Sequence, residues 1–115
     1  MPFSLAVTEI IKRRLFRARE HLESCTLETV APHLESILEM TYEYNRALGL
    51  PAVRHTEGAK PEEHLEDALM NLTTVIDFDL TQVTLYTATE DAAVNAAQEM
   101  MAGIQTIPLP ETPKR

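Results

Sequence analysis

Tryptophan is absent from this 115-residue chain, glycine occurs three times and cysteine once. Each scarcity excludes something. A lone cysteine, Cys25, cannot close an internal disulfide, which fits a reducing compartment or a chain that needs no bridge. So few glycines leave no glycine-rich loop to cradle phosphates, and there is no Walker loop, dinucleotide fingerprint, CxxC or HExxH. No apolar run approaches the ~18–20 residues of a membrane span. The short apolar run from Phe3 to Ile11 precedes the basic cluster, which reverses the order of a secretory signal. The start therefore reads as mature structure and the compartment as cytoplasmic.

Positive charge is also scarce, and it is unevenly placed. The formal net charge is −8. Lys12, Arg13, Arg14, Arg17 and Arg19 put five positive charges into eight residues. From Glu20 to Pro113 there are 17 acidic residues against Arg46, Arg54 and Lys60. Such a balance disfavours nucleic acid or an anionic membrane as a direct partner, because most of the molecule would repel phosphates. It leaves a basic helix that pairs with acidic neighbours inside the fold or a dimer, or that docks an acidic partner.

What the chain does have is an apolar fraction of 44% at helical spacing. Phe3, Val7, Ile11, Leu15, Ala18, Leu22 and Cys25 recur every three or four residues, which predicts a first helix over 4–24. A second is expected over 30–48, with Thr29 as N-cap and Pro32 in its first turn. Leu34, Ile37, Leu38, Thr41, Tyr44 and Leu48 share its inner face, and Glu35, Glu39, Glu43 and Arg46 the outer one. Gly49 suits the left-handed C′ position, and Pro51 cannot continue the helix. A third helix is expected over 61–76, opened by Pro61 with Glu62 and Glu63 in its first turn. Its stripe is Leu65, Ala68, Leu69, Leu72, Val75 and Ile76.

Residues 77–88 suit either a strand or a short helix. Asp79 followed by Gln82 favours the helix, over 80–88, since a lone strand pair would have no sheet to join. A last helix is expected over 89–102, with Ala93, Ala97, Met100 and Met101 inward and Gly103 ending it. The fold class is thus all-α, a bundle or orthogonal array of four to five helices. Residues 1–105 form a single helical domain, and 106–115 a proline-rich C-terminal tail, mobile or draped on the surface.

Candidate chemistry is sparse. His21 and Cys25 lie four apart on one helix, and His33 would have to join them to make a metal site. Architecture and length resemble phosphorelay modules, whose mid-helix histidine is followed three residues on by lysine. Here His21 and His33 are each followed by Leu-Glu-Ser and His64 by Leu-Glu-Asp, so the resemblance stops at architecture. The Glu20-His-Leu-Glu23 spacing is similar to the ExxE of MazG-type all-α nucleotide pyrophosphohydrolases. That resemblance implies a Mg²⁺-dependent nucleotide hydrolase, with Glu63, Glu66 and Asp67 as the nearest approach to the second motif. Those three carboxylates, however, are expected in the polar arc of their helix rather than in a protected groove. No cofactor or metal is expected.

The first helix carries the clearest anomaly. At 100° per residue, Leu5 and Phe16 point away from the main stripe, whereas Arg14 falls inside it. An outward phenylalanine beside arginines has the composition of an interface anchor. The reading is therefore a non-enzymatic protein–protein interaction module: an adaptor, inhibitor, immunity protein or small assembly subunit, possibly homodimeric. Its candidate partner-binding residues are Leu5, Lys12, Arg13, Phe16, Arg17 and Arg19. The alternatives are the Mg²⁺-dependent hydrolase and an acidic, nucleic-acid-mimicking inhibitor.

Overall fold

Ser4 opens the first helix, its Oγ accepting the Val7 N–H at 3.2 Å. The computed structural model describes residues 3–54, 60–83 and 89–110. Helix α1 spans Leu5–Ser24. It buries Thr8, Ile11, Leu15, Ala18 and Leu22 and leaves Val7 and Cys25 partly covered, so the predicted stripe is the one that packs.

The second helical segment begins earlier than expected. Thr26, not Thr29, is the N-cap, accepting the Thr29 N–H at 3.2 Å. A single turn, α2 (Leu27–Val30), leads into a 3₁₀ turn at Ala31–His33, and α3 follows over Leu34–Ala47. Pro32 accounts for the tightened middle: it has no N–H to donate, and its ring crowds the carbonyl four residues back. The predicted inner face of α3 is buried throughout. Gly49 takes φ 74°, the left-handed conformation expected after the helix.

Helix α4 spans Pro61–Asp77, with Glu63 Oε1 accepting the Lys60 N–H at 3.2 Å. A 3₁₀ turn at Leu80–Gln82 follows, headed by Asp79, which accepts the Thr81 N–H at 3.1 Å. The rest of the short helix expected over 80–88 lies outside the described residues beyond Val83. Helix α5 spans Glu90–Gln105, capped by Thr89, which accepts the Ala92 N–H at 3.1 Å. Gly103 does not end it. The last turn continues past that glycine because Ile104 is apolar and fully buried, and the cap falls at Thr106. Ile107 is buried as well, so the chain stays on the core before its prolines.

Among the described residues the fold is all-helical, a four-helix bundle with no strand. Helix α1 packs on α4 and α5, and α3 packs on the same two from the other side. The order around the bundle is therefore α1–α4–α3–α5. Helices α1 and α5 run the same way: Ser4 N–H donates to Glu90 at one end, and His21 pairs with the Ile107 carbonyl at the other. Helix α4 runs opposite to α1, since Lys12 reaches the Phe78 carbonyl and Arg19 reaches Thr73.

A polar seam joins α3 to α4. Asn45 donates to the carbonyls of Pro51 at 2.9 Å and Asn71 at 3.0 Å. Asn71 accepts from the Val53 N–H at 2.8 Å and donates to the Val53 carbonyl at 2.9 Å. Segment 50–54 is pinned to the bundle by these two amides, which satisfy each other's surroundings as buried polar groups must. No helix among the described residues is long and apolar enough to cross a membrane.

Candidate interaction surface

The outer face of α1 is placed as its sequence predicts, but its charges divide into two kinds. Leu5 is 69% exposed and Phe16 47%, so neither belongs to the core. Arg19 lies over the Phe16 ring, 5.2 Å from its centre, and donates to Thr73 Oγ1 at 3.1 Å. Lys12 donates to the Phe78 carbonyl. Both cations are thus spent within the fold, along the seam between α1 and α4. Arg13 and Arg17 are exposed and have no partner among the described residues. Arg14, predicted inside the apolar arc, is half-buried and extends its guanidinium to the Val94 carbonyl at 3.4 Å. The long stem of arginine lets it cover apolar surface and still end on a polar group.

On the other side of the bundle, α3 and α5 leave an apolar groove of about 370 Å³ between them. The spacing of its residues explains it. Met40, Tyr44, Ala47 and Leu48 lie on one face of α3, and Ala92, Ala93, Ala96 and Met100 on one face of α5. Tyr44, Leu48, Ala93 and Met100 are buried and form the floor. Alanine side chains are short, so the α5 wall is low and the two helices do not close over the floor. The Tyr44 hydroxyl donates to the Ala93 carbonyl at 2.9 Å, which satisfies the one polar group of the floor. Glu43 and Glu99 stand one on each wall, exposed and in no ion pair among the described residues, with Glu43 within electrostatic reach of Arg54. The lining is apolar, with polar groups only at its rim and on the Tyr44 hydroxyl.

The acidic row of α3 is only partly open. Glu39 is held by Arg54 in a two-pronged pair at 2.7 and 2.9 Å. Arg54 also stacks 4.0 Å from the centre of the Tyr42 ring, with Arg46 at 5.7 Å. Glu35 and Glu43 are exposed.

The carboxylates of the hydrolase reading are dispersed. Glu20, Glu23 and Glu66 are exposed, and Glu63 caps α4. Asp67 corrects the expectation of a polar arc: it is buried, 4% exposed. Helix α4 packs on α1 and α3 at once, so its buried arc is wider than its apolar stripe and takes in Asp67 and Asn71. Among the described residues no three of histidine, cysteine, aspartate and glutamate converge as metal ligands. Cys25 donates to the His21 carbonyl at 3.3 Å, and burial pushes its thiol pKa up. His33 is exposed.

Sequence reasoning found the outer face of α1 and missed the groove. The available signal was the i, i+4 pair Ala92 and Ala96 followed by Glu99. Alanines at that spacing read equally as a close helix contact, and only the bundle order shows that none of the described helices covers them. Compared with protein-family models, curated proteins and solved structures, the chain matches none.

Proposed function

We propose that the protein is a non-enzymatic interaction module of the cytoplasm that receives a helical segment of a protein partner in the groove between α3 and α5. The observation that carries the reading is the groove itself, an apolar trough with an exposed carboxylate on each wall, neither of them in an ion pair among the described residues. Its low alanine wall suits a helix, because small residues allow the 8–10 Å axial approach, roughly, of packed helices. Helix-in-groove recognition uses anchors at i, i+3, i+4 and i+7, and the flanking carboxylates would favour cations beside them. An adaptor, an inhibitor, an immunity protein and a small assembly subunit all work through such a surface.

The test is photocrosslinking in cells that make the protein. A photoreactive residue is placed at Ala96, inside the groove, and in a control at Gln98, which is exposed and outside it. The expected result is a polypeptide adduct at position 96 and none at 98. Absence of adducts at 96, or equal yields at both positions, would count against the reading.

A further inference from the structure

We infer that the occupant of the groove is the outer face of α1 of a second copy of this chain, so that the protein associates head to tail. This rests on the reading of the groove as a helix-binding surface and adds the identity of the helix. The chemistry the groove calls for is apolar side chains beside unpaired cations. The chain presents that combination once among its described helices. Phe16 projects from α1, half exposed, with Arg13 and Arg17 along one flank of it, both exposed and without a partner among the described residues. Arg13 is three residues from Phe16 and four from Arg17 and shares a face with each, while Phe16 and Arg17 stand at the two edges of that face, about 100° apart. Phe16 would enter the trough while Arg13 and Arg17, on one flank of it, meet the negative field that Glu43 and Glu99 set up at its rim.

Charge also rejects the symmetric arrangements. Groove against groove would set Glu43 and Glu99 against their own copies. Helix α1 against α1 would do the same with Arg13 and Arg17. Like charges brought together are costly, and complementary ones steer association. The bundle order then fixes the outcome. In the cycle α1–α4–α3–α5, α1 stands diagonally across from α3, so its outer face and the α3 wall of the groove lie on opposite sides of the bundle. Two surfaces on opposite sides cannot be satisfied reciprocally in one dimer. They generate a heterologous contact, which continues into a chain of copies or closes as a ring.

The experiment is sedimentation and light scattering of the purified protein from micromolar to millimolar concentration. The expected result is a mass that climbs past the dimer as concentration rises and falls back in high salt, as screening requires. Phe16→Ser and Ala96→Arg should each stop at the monomer. A one-to-one mixture of the two should form a dimer and nothing larger, because each variant retains the surface the other lacks. Circular dichroism checks that both are folded. If either is not, the charge-swapped pairs serve instead: Arg13→Glu with Arg17→Glu in one chain, and Glu43→Arg with Glu99→Arg in another. Each should be monomeric alone and the two should associate when mixed.

A wild-type protein that stays monomeric at millimolar concentration overturns the inference. So does a closed dimer that single variants disrupt and mixing does not restore. If a different polypeptide is crosslinked at position 96 while the purified chain remains monomeric, the helix-binding reading stands and the self-association fails.

Discussion

The Tyr44 hydroxyl donates a 2.9 Å hydrogen bond to the Ala93 carbonyl, and so ties the floor of α3 to the first turn of α5. The groove therefore has a fixed width at one end without any side chain filling it. Burial pushes the phenol pKa well above its usual value, because an ionised oxygen would lose water and face a carbonyl.

That shift has a sign that can be tested. The folded chain keeps Tyr44 neutral at pH values where the unfolded chain ionises it, above about pH 10. Its contribution is complete below that pH and is lost as pH rises through the folded pKa. Urea unfolding between about pH 8 and pH 11 should show the wild type losing stability more steeply than Tyr44→Phe. Equal slopes would contradict the assignment. At neutral pH, Tyr44→Phe should cost about 1 kcal/mol, the net worth of one hydrogen bond.

Asn71 brackets Val53, accepting its N–H and donating to its carbonyl. Asn71→Ala strands both of those groups and removes a partner of Thr41. A loss of about 2–3 kcal/mol is expected in denaturant unfolding. Hydrogen exchange at the Val53 amide should accelerate more than at Leu15, which lies in the α1 core. Uniform acceleration would mean that the clamp is not local.

Two glycines should respond oppositely to alanine. Gly49 has φ 74°, where a Cβ is strained, so Gly49→Ala should destabilise by about 1 kcal/mol. Gly103 lies inside α5 with open space where a Cβ would stand. Gly103→Ala should stabilise by about 0.5–1 kcal/mol, since glycine is a poor helix former. Thermal unfolding of the two variants gives the signs directly.

Phe16 and its neighbour Leu15 separate surface from core. Phe16→Ser loses a half-exposed ring and its contact with Arg19, and should cost no more than about 1 kcal/mol. Leu15 is fully buried, and Leu15→Ala should cost about 2–5 kcal/mol. A collapse of stability in Phe16→Ser would place that ring in the core and remove it from any interface.

How far the sequence could be read follows from which forces are local. The spacing of Ile11, Leu15, Ala18 and Leu22 announces α1, and Gly49 with Pro51 announces the end of α3, because both signals lie within a few residues. Capping is less legible. Thr26 and Thr29 can each accept a helical N–H, and the choice depends on Val30 finding the core. Asp67 could not be placed at all, since its burial comes from α4 packing on two helices. The outward Phe16 was legible because one helix wheel suffices to show it. The groove was not, since it exists only where α3 and α5 stand apart, and no window of sequence contains both.

The most direct measurement is methyl NMR on labelled methionine. Met40 and Met100 line the groove, whereas Met70 is exposed on the outer face of α4. Labelled Phe16→Ser protein, whose groove is intact, is titrated with unlabelled Ala96→Arg protein, whose α1 face is intact. The account predicts that the Met40 and Met100 signals move and saturate while Met70 holds still. Signals that never move, or a shift at Met70 alone, would contradict it.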